Sequence, residues 1–431
     1  MPRSRLCHFW CLCKLERIKI VKQVQPTSRA HIDRIDALRG IAALMVAIYH
    51  ALGVISIPGL EEAIWDRDLP QGDTLSESIA RLLMVLSNGS AAVSLFFVMS
   101  GLVLGLSIDK WQGNSLRNSV SFIIQRLFRI GPALWATALS IGLMLTVYRA
   151  QHEPLATDWF NRFYNLPVTL GLLVKNLTLT TAGSSADGWL NPVTWSLQVE
   201  MGVSLLFPLL YMMNRCVSMR WHLPVLAILL AIPAVLKPGP ISFLNFLFMF
   251  YLGLMLPAWG AKLAFVVRSS KVYALAVFLT AVIIMLVAKG IAPRPGVMMV
   301  MEAGGAFMLL AAVLHGKDNT VFRLLDAPII RFYGRISYSF YLIDFPVLYI
   351  ISVMTMHLLP SEALMAHALL VNVMLAAAGI VISTGLAAVC YQWVELPGIK
   401  LGRRLTGWAG RQLMTPKAAG RALASPLEGD R

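Results

Sequence analysis

Charge is what this chain has least of. Asp, Glu, Lys and Arg make up 14% of its 431 residues, where a soluble domain carries about 25%. Acids are the scarcer sign, 22 against 37 Lys and Arg, for a formal net charge of +15. Cysteine is almost missing: there are five, and three of them fall at Cys7, Cys11 and Cys13. With His8 these three resemble a metal group. A zinc site normally has a second ligand pair at a defined distance; none follows, so we expect no metal. No apolar run of 7–15 residues precedes Asp33, so the N-terminal segment does not read as a cleavable signal. No repeat recurs at a fixed period, which argues against a solenoid. With 57% hydrophobic residues, the chain is too apolar for disorder and too apolar for a water-soluble globule.

What remains is a membrane protein. Apolar runs lie near 37–57, 81–106, 130–148, 193–213, 222–236, 242–260, 272–289, 297–315, 336–356 and 367–390. A span takes about 20 apolar residues, so the expected fold is all-α, a polytopic transmembrane helix bundle of about ten spans. The 222–236 run is short and 166–182 is ambiguous. An N-terminus in the cytoplasm puts 28 of the 37 basic residues in cytoplasmic segments and 8 on the other side. By the positive-inside rule both termini are cytoplasmic, and the charge needs no nucleic acid to explain it. Anionic lipid head groups are the expected electrostatic partner. Cys216 and Cys390 then fall at or near cytoplasmic span ends, where no disulfide is expected. Residues 1–35 read as a basic cytoplasmic arm, 36–398 as the membrane domain and 399–431 as a basic mobile tail. The segments 58–80 and 149–192 are the longest on the far side, and can shape an acceptor site there.

Ionisable residues inside apolar runs are expensive and usually functional. In RIDALRGIAALMVAIYH, Arg39 stands at the cytoplasmic end and His50 eleven residues on, roughly 16 Å deeper. Eleven residues are about three turns, so the two share one helix face. Arg39 reads either as a phosphate ligand at the mouth or as a snorkelling interfacial arginine. His50, near the midplane, reads as a group for proton chemistry. Glu200, in VTWSLQVEMGV, lies roughly 10 Å from the outer end, at a depth similar to that of His50. Contact between the two is expected, as a proton-transfer pair or as a structural ion pair. Asp344 lies roughly 12 Å deep in ISYSFYLIDFPVLY, and Pro346 can free backbone carbonyls at a cavity wall. Arg126 and Arg129 share a helix face; they suit a phosphate-rich ligand or serve as interfacial anchors. In FFVMSGLVLG, Ser100, Gly101 and Gly105 allow close approach of a helix or a ligand. Glu302 reads as a packing or loop-facing acid.

Taken in order, these segments resemble the acyltransferase-3 family of integral-membrane acyltransferases. The matching pieces are the Arg-(ten residues)-His spacing, FFVMSG, RLFR followed by GP, TWSLQVE with downstream Pro208, ISYSFYLIDFP and WVELP. They cover about residues 34–398. The resemblance implies acyl-CoA as donor co-substrate, with no bound cofactor, and a cell-envelope carbohydrate or glycolipid as acceptor. It also implies the cytoplasmic membrane as location. It makes His50 the catalytic base, Glu200 a site acid, and Arg39, Arg126 and Arg129 donor ligands. Ser100, Trp195 and Asp344, within the matching segments, join them as substrate-binding candidates. Asp344 departs from the family, which usually has His there. Some members carry an extra C-terminal hydrolase-like domain, for which this chain has no room. The competing reading is a proton-coupled exporter of a sugar or lipid-linked substrate, because intramembrane His/Glu pairs also relay protons. Such an exporter often shows inverted repeats and broken helices.

Overall fold

The computed structural model describes residues 29–57, 74–111, 115–148, 152–164, 168–181, 188–236, 241–260, 267 and 269–412. The cysteine–histidine group at 7–13 and the tail beyond 412 lie outside the described residues. Helices account for nearly everything described. The chain begins with α1 (Arg29–Leu52), α2 (Leu75–Leu86), α3 (Gly89–Ile108) and α4 (Ser115–Val147). Two short helices follow, α5 (Asp158–Asn161) and α6 (Leu170–Leu177), then α7 (Thr194–Cys216), α8 (His222–Val235) and α9 (Leu247–Met255). Next come α10 (Lys271–Ile291), α11 (Pro295–His315), α12 (Thr320–Leu324) and α13 (Pro328–Leu358). The series ends with α14 (Ser361–Ala366), α15 (Ala368–Cys390) and α16 (Leu396–Gln412), the last two joined by a π-turn at Tyr391–Glu395. Among the described residues there is no strand, only an isolated bridge between Ile55 and Ala156.

Nine helical segments among the described residues are long and apolar enough to cross a membrane. They coincide with nine of the ten apolar runs. The tenth run is α8, whose 14 residues reach only about 21 Å at 1.5 Å each, short of a hydrocarbon core of about 30 Å. Among its described residues the ambiguous run at 166–182 holds one helix, α6, eight residues capped by Thr169. Residues 396–412 are helical where the sequence suggested a mobile tail from 399. Gly398 and Gly402 let α16 lie against Phe128 and Pro132 of α4, and Gln125 Nε2 donates to Thr406 Oγ1 at 3.0 Å.

Backbone contact sets the arrangement around α1. Gly40 of α1 meets the backbone of Gly334 in α13 with no room for a Cβ on either. This lets the two helices run close together in parallel. Gly101 of α3 and Gly253 of α9 form a second such crossing, the packing use expected of small residues in membrane helices. α3 packs against α1 on one side and against α7 and α9 on the other. At one end of the bundle Arg34 bridges Asp326 at 2.6 Å and Asp318 at 2.7 Å, and Arg331 reaches Asp326 at 2.8 Å. The hydrogen bond from Arg34 holds the Asp326 carboxyl below its ordinary range. Arg215 of α7 pairs with Asp109, after α3, at the same end. We call this the basic face.

The opposite end is tied by amides. Asn372 of α15 donates to the carbonyls of Leu52 and Ile55 at 3.2 and 3.0 Å and accepts from Ile55 N–H, which fixes the end of α1 just beyond His50. Pro346 lacks the N–H that would bond the carbonyl of Leu342 four residues back. Asn191 Nδ2 takes that freed carbonyl at 2.7 Å, so the segment leading into α7 is fastened to α13.

Candidate active site

Two cavities lie end to end inside the bundle. The one toward the basic face has a volume of about 450 Å³, and the one toward the opposite face about 610 Å³. Each falls in the range of small-molecule sites, about 300–1,000 Å³. Phe97 and Tyr341 line both and form the wall they share. α7 serves both cavities in turn: Trp195, Gln198 and Val199 face the larger, Ser196, Leu197 and Glu200 the smaller. α1 does the same, with Arg39 at the smaller cavity and His50 at the larger. The shared helix face read from their spacing is therefore what the structure has.

The smaller cavity is charged. Arg39, Arg126, Arg129 and Arg403 line it, with Asp36 and Glu200 as the carboxylates. Four cations against two anions leave a site that favours an anionic ligand. Arg126 pairs with Glu200, and Ser100 Oγ approaches the same carboxylate at 3.5 Å. Arg126 Nε is buried with no hydrogen-bond partner, so it remains a donor. Arg39 sits 3.4 Å from Asp36. Among the described residues neither Arg129 nor Arg403 has an ion pair. Arginine is the residue suited to gripping phosphate through paired N–H groups. Beside this cavity Ser339 donates to the buried Glu395 at 2.7 Å, which anchors the π-turn before α16.

The larger cavity is aromatic. The chain at 152–164 folds back onto the end of α1: Thr157 N–H donates to Val54 O at 2.9 Å, and its hydroxyl to Gly53 O at 2.6 Å. Thr157 also caps α5, accepting from Phe160 N–H at 3.3 Å, a common use of threonine at a helix start. Glu153 is held by His357 at 2.9 Å. The result is a rigid turn that lays Trp159 over His50, ring centroids 5.5 Å apart and nearly parallel. Phe345 meets His50 edge-on at 5.7 Å. His50 Nδ1 is buried and has no hydrogen-bond partner. Trp159, Trp189 and Trp195 line the cavity together with Ser90, Ser94 and Lys289.

The expected contact between His50 and Glu200 does not form. Glu200 bonds Arg126, while His50 is packed among aromatic rings on the other side of Phe97 and Tyr341. Helix rise set the two groups level, but the structure puts Glu200 in the cavity toward the basic face and His50 in the one toward the opposite face, with α3 packed against both α1 and α7. A guanidinium also competes better than a neutral imidazole for a buried carboxylate. Of the substrate-binding candidates, Arg39, Arg126, Arg129 and Ser100 share the smaller cavity, and Trp195 belongs to the larger. Asp344 lines neither; it is buried in α13 and faced by Ser383 of α15.

Sequence reasoning missed Arg403, Tyr341 and Trp159. Arg403 carried a signal: Ile399, Arg403 and Thr406 recur at helical spacing within a segment dismissed as tail. Trp159 carried none, because only the folded turn at 152–164 brings it to His50.

A family model described as an acyltransferase domain matches residues 32–392. No curated protein and no solved structure matches the chain.

Proposed function

The chain belongs to the acyltransferase-3 family of membrane acyltransferases, and from that premise we propose that it moves an acetyl group from cytoplasmic acetyl-CoA to a hydroxyl of a cell-envelope or exported carbohydrate. The reading rests above all on one observation: an arginine-lined cavity and a tryptophan-lined cavity holding His50 share the wall made by Phe97 and Tyr341. Two chemically unlike substrates need such a pair of sites, meeting where the group is transferred. The arginine cavity lies toward the end where the basic residues gather, which the positive-inside rule assigns to the cytoplasm. Acyl-CoA is made there and carries phosphates. Aromatic walls with a few polar groups suit a sugar ring on the other side. The membrane is then the cytoplasmic membrane.

In this reading Arg39, Arg129 and Arg403 bind the donor phosphates, and the acyl-bearing arm reaches Tyr341. Glu200 neutralises and orients Arg126. His50, uncharged among aromatic rings, takes the proton from the acceptor hydroxyl as the oxygen attacks the thioester carbonyl. The new C–O bond forms, the C–S bond breaks, and the departing thiolate recovers the proton from the imidazolium. Ser196 gives its proton to Val193 O at 3.0 Å, so the Tyr341 hydroxyl donates to Ser196 Oγ at 2.9 Å and must turn that proton from Ser196 to the carbonyl oxygen as it gains charge. Transfer is direct, without an acyl-enzyme, and residues 36–398 together with α16 carry it.

The test is CoA-thiol release by purified protein given acetyl-CoA, with and without an extract of envelope carbohydrate. Release should rise with the extract and fall about 10²–10⁴-fold in His50→Ala, the range for a lost general base. Undiminished transfer in a correctly inserted His50→Ala protein ends the proposal. An exporter would release no CoA at all.

A further inference from the structure

Glu302 has no part in the mechanism above, yet it is 0% exposed in the middle of an apolar helix. Its Oε2 accepts from Ser90 Oγ at 2.9 Å and from Ser94 Oγ at 2.8 Å. Its Oε1 is buried without a hydrogen-bond partner. Ser90 and Ser94 stand one turn apart on α3 and both line the cavity that holds His50. Lys289, on the same wall, donates to Tyr49 OH at 2.8 Å.

A hydroxyl has one proton to give and two lone pairs to offer. Ser90 and Ser94 both spend their proton on Glu302. What they present to the cavity is lone pairs only, so an incoming group must donate to them. Because both bond one oxygen, the two Oγ atoms lie no more than about 6 Å apart by those bond lengths. Neighbouring hydroxyls on one ring can reach both. Among the described residues no carboxylate lines this cavity; Glu302 stands behind its wall and acts through the serines.

We infer that Ser90 and Ser94 form a subsite for adjacent hydroxyl groups of a polyhydroxylated acceptor ring, with Glu302 as the positioning residue that fixes the serines as hydrogen-bond acceptors. The subsite rests on the acceptor-side assignment of the larger cavity. It holds the ring by hydroxyls that do not react and leaves a further one for His50. A site built to bond a hydroxyl rejects analogues that lack it, so this subsite selects sugars over monohydroxyl lipids and alcohols.

The experiment follows transfer of radiolabelled acetyl groups from acetyl-CoA into envelope-carbohydrate extract, by purified full-length protein in lipid bilayers. Ser90→Ala/Ser94→Ala should raise the KM for extract tenfold or more, with kcat and the KM for acetyl-CoA within twofold of wild type. Ser90→Thr/Ser94→Ala, which restores one hydroxyl, should recover part of that loss. Glu302→Gln should raise the same KM about threefold. An unchanged acceptor KM in the double variant overturns the subsite, and so does an equal rise in both KM values. An unchanged acceptor KM in Glu302→Gln alone removes its positioning role. Wild-type protein that labels no carbohydrate refutes the acceptor-side assignment itself, a different result from either.

Discussion

The two cavities are built on opposite principles. The smaller is made of charge: Arg39, Arg126, Arg129 and Arg403 against Asp36 and Glu200, all on long helices. The larger is made of shape: three tryptophans and His50, with one wall supplied by the short turn at 152–164. Charges inside a membrane bundle are expensive: Arg39 and Arg126 meet Asp36 and Glu200, which leaves Arg129 and Arg403 without an ion pair among the described residues. An aromatic site needs only packing, and a connecting segment can supply it. The division also separates duties. In the proposed function, affinity for the donor resides in the first cavity and proton transfer in the second, and substitutions should sort accordingly.

Glu200→Gln is the sharpest test of that sorting, with the largest effect. It removes the partner of Arg126 and leaves a buried cation uncompensated, a loss of about 3–5 kcal/mol where such pairs have been broken. The KM for acetyl-CoA should rise at least tenfold, while the pH dependence of kcat set by His50 stays where it is. A shift of that pH profile would mean that Glu200 acts on His50 after all. A smaller effect is expected at Arg403→Ala. It should raise the KM for acetyl-CoA about threefold to tenfold, the range of one ordinary hydrogen bond at an exposed side chain, and leave the acceptor KM alone. A change in acceptor KM would break the division between the cavities.

The smallest effect lies outside both. Asp326 is held below its ordinary pKa by Arg34. A depressed carboxyl contributes stability that is present above its unfolded value of about 4 and is lost as pH falls through its lower folded value. Asp326→Asn should therefore lower the melting temperature by a few degrees at pH 7. The gap to wild type should narrow below about pH 4. A gap that stays constant down to pH 3 would remove the ion pair from the account.

The same contrast explains what could be read in advance. Nine of ten apolar runs became membrane-length helices because twenty consecutive apolar residues have few other fates. Arg39, Arg126, Arg129 and Glu200 were each legible as candidates because ionisable residues stand out in or beside such runs. Their partners were not. Depth along a helix follows from residue count, but which helices adjoin depends on crossings such as Gly40 with Gly334 and Gly101 with Gly253. So Glu200 was set level with His50 and given the wrong neighbour. Asp344 shows the same limit, since its depth said nothing of the face it occupies. Trp159 was invisible because it lies in a connecting segment. Glu302 was set aside as a packing acid, because the serines that give it meaning belong to a helix 208 residues earlier.

The central claim is that donor and acceptor occupy separate cavities that meet at Tyr341 and Phe97. The most direct measurement is the position of a non-hydrolysable acetyl-CoA analogue bound to the full-length protein, determined by cryo-electron microscopy. The account predicts its phosphates beside Arg39, Arg129 and Arg403, with the acyl end at Tyr341. Nucleotide density among Trp159, Trp189 and Trp195 would contradict it.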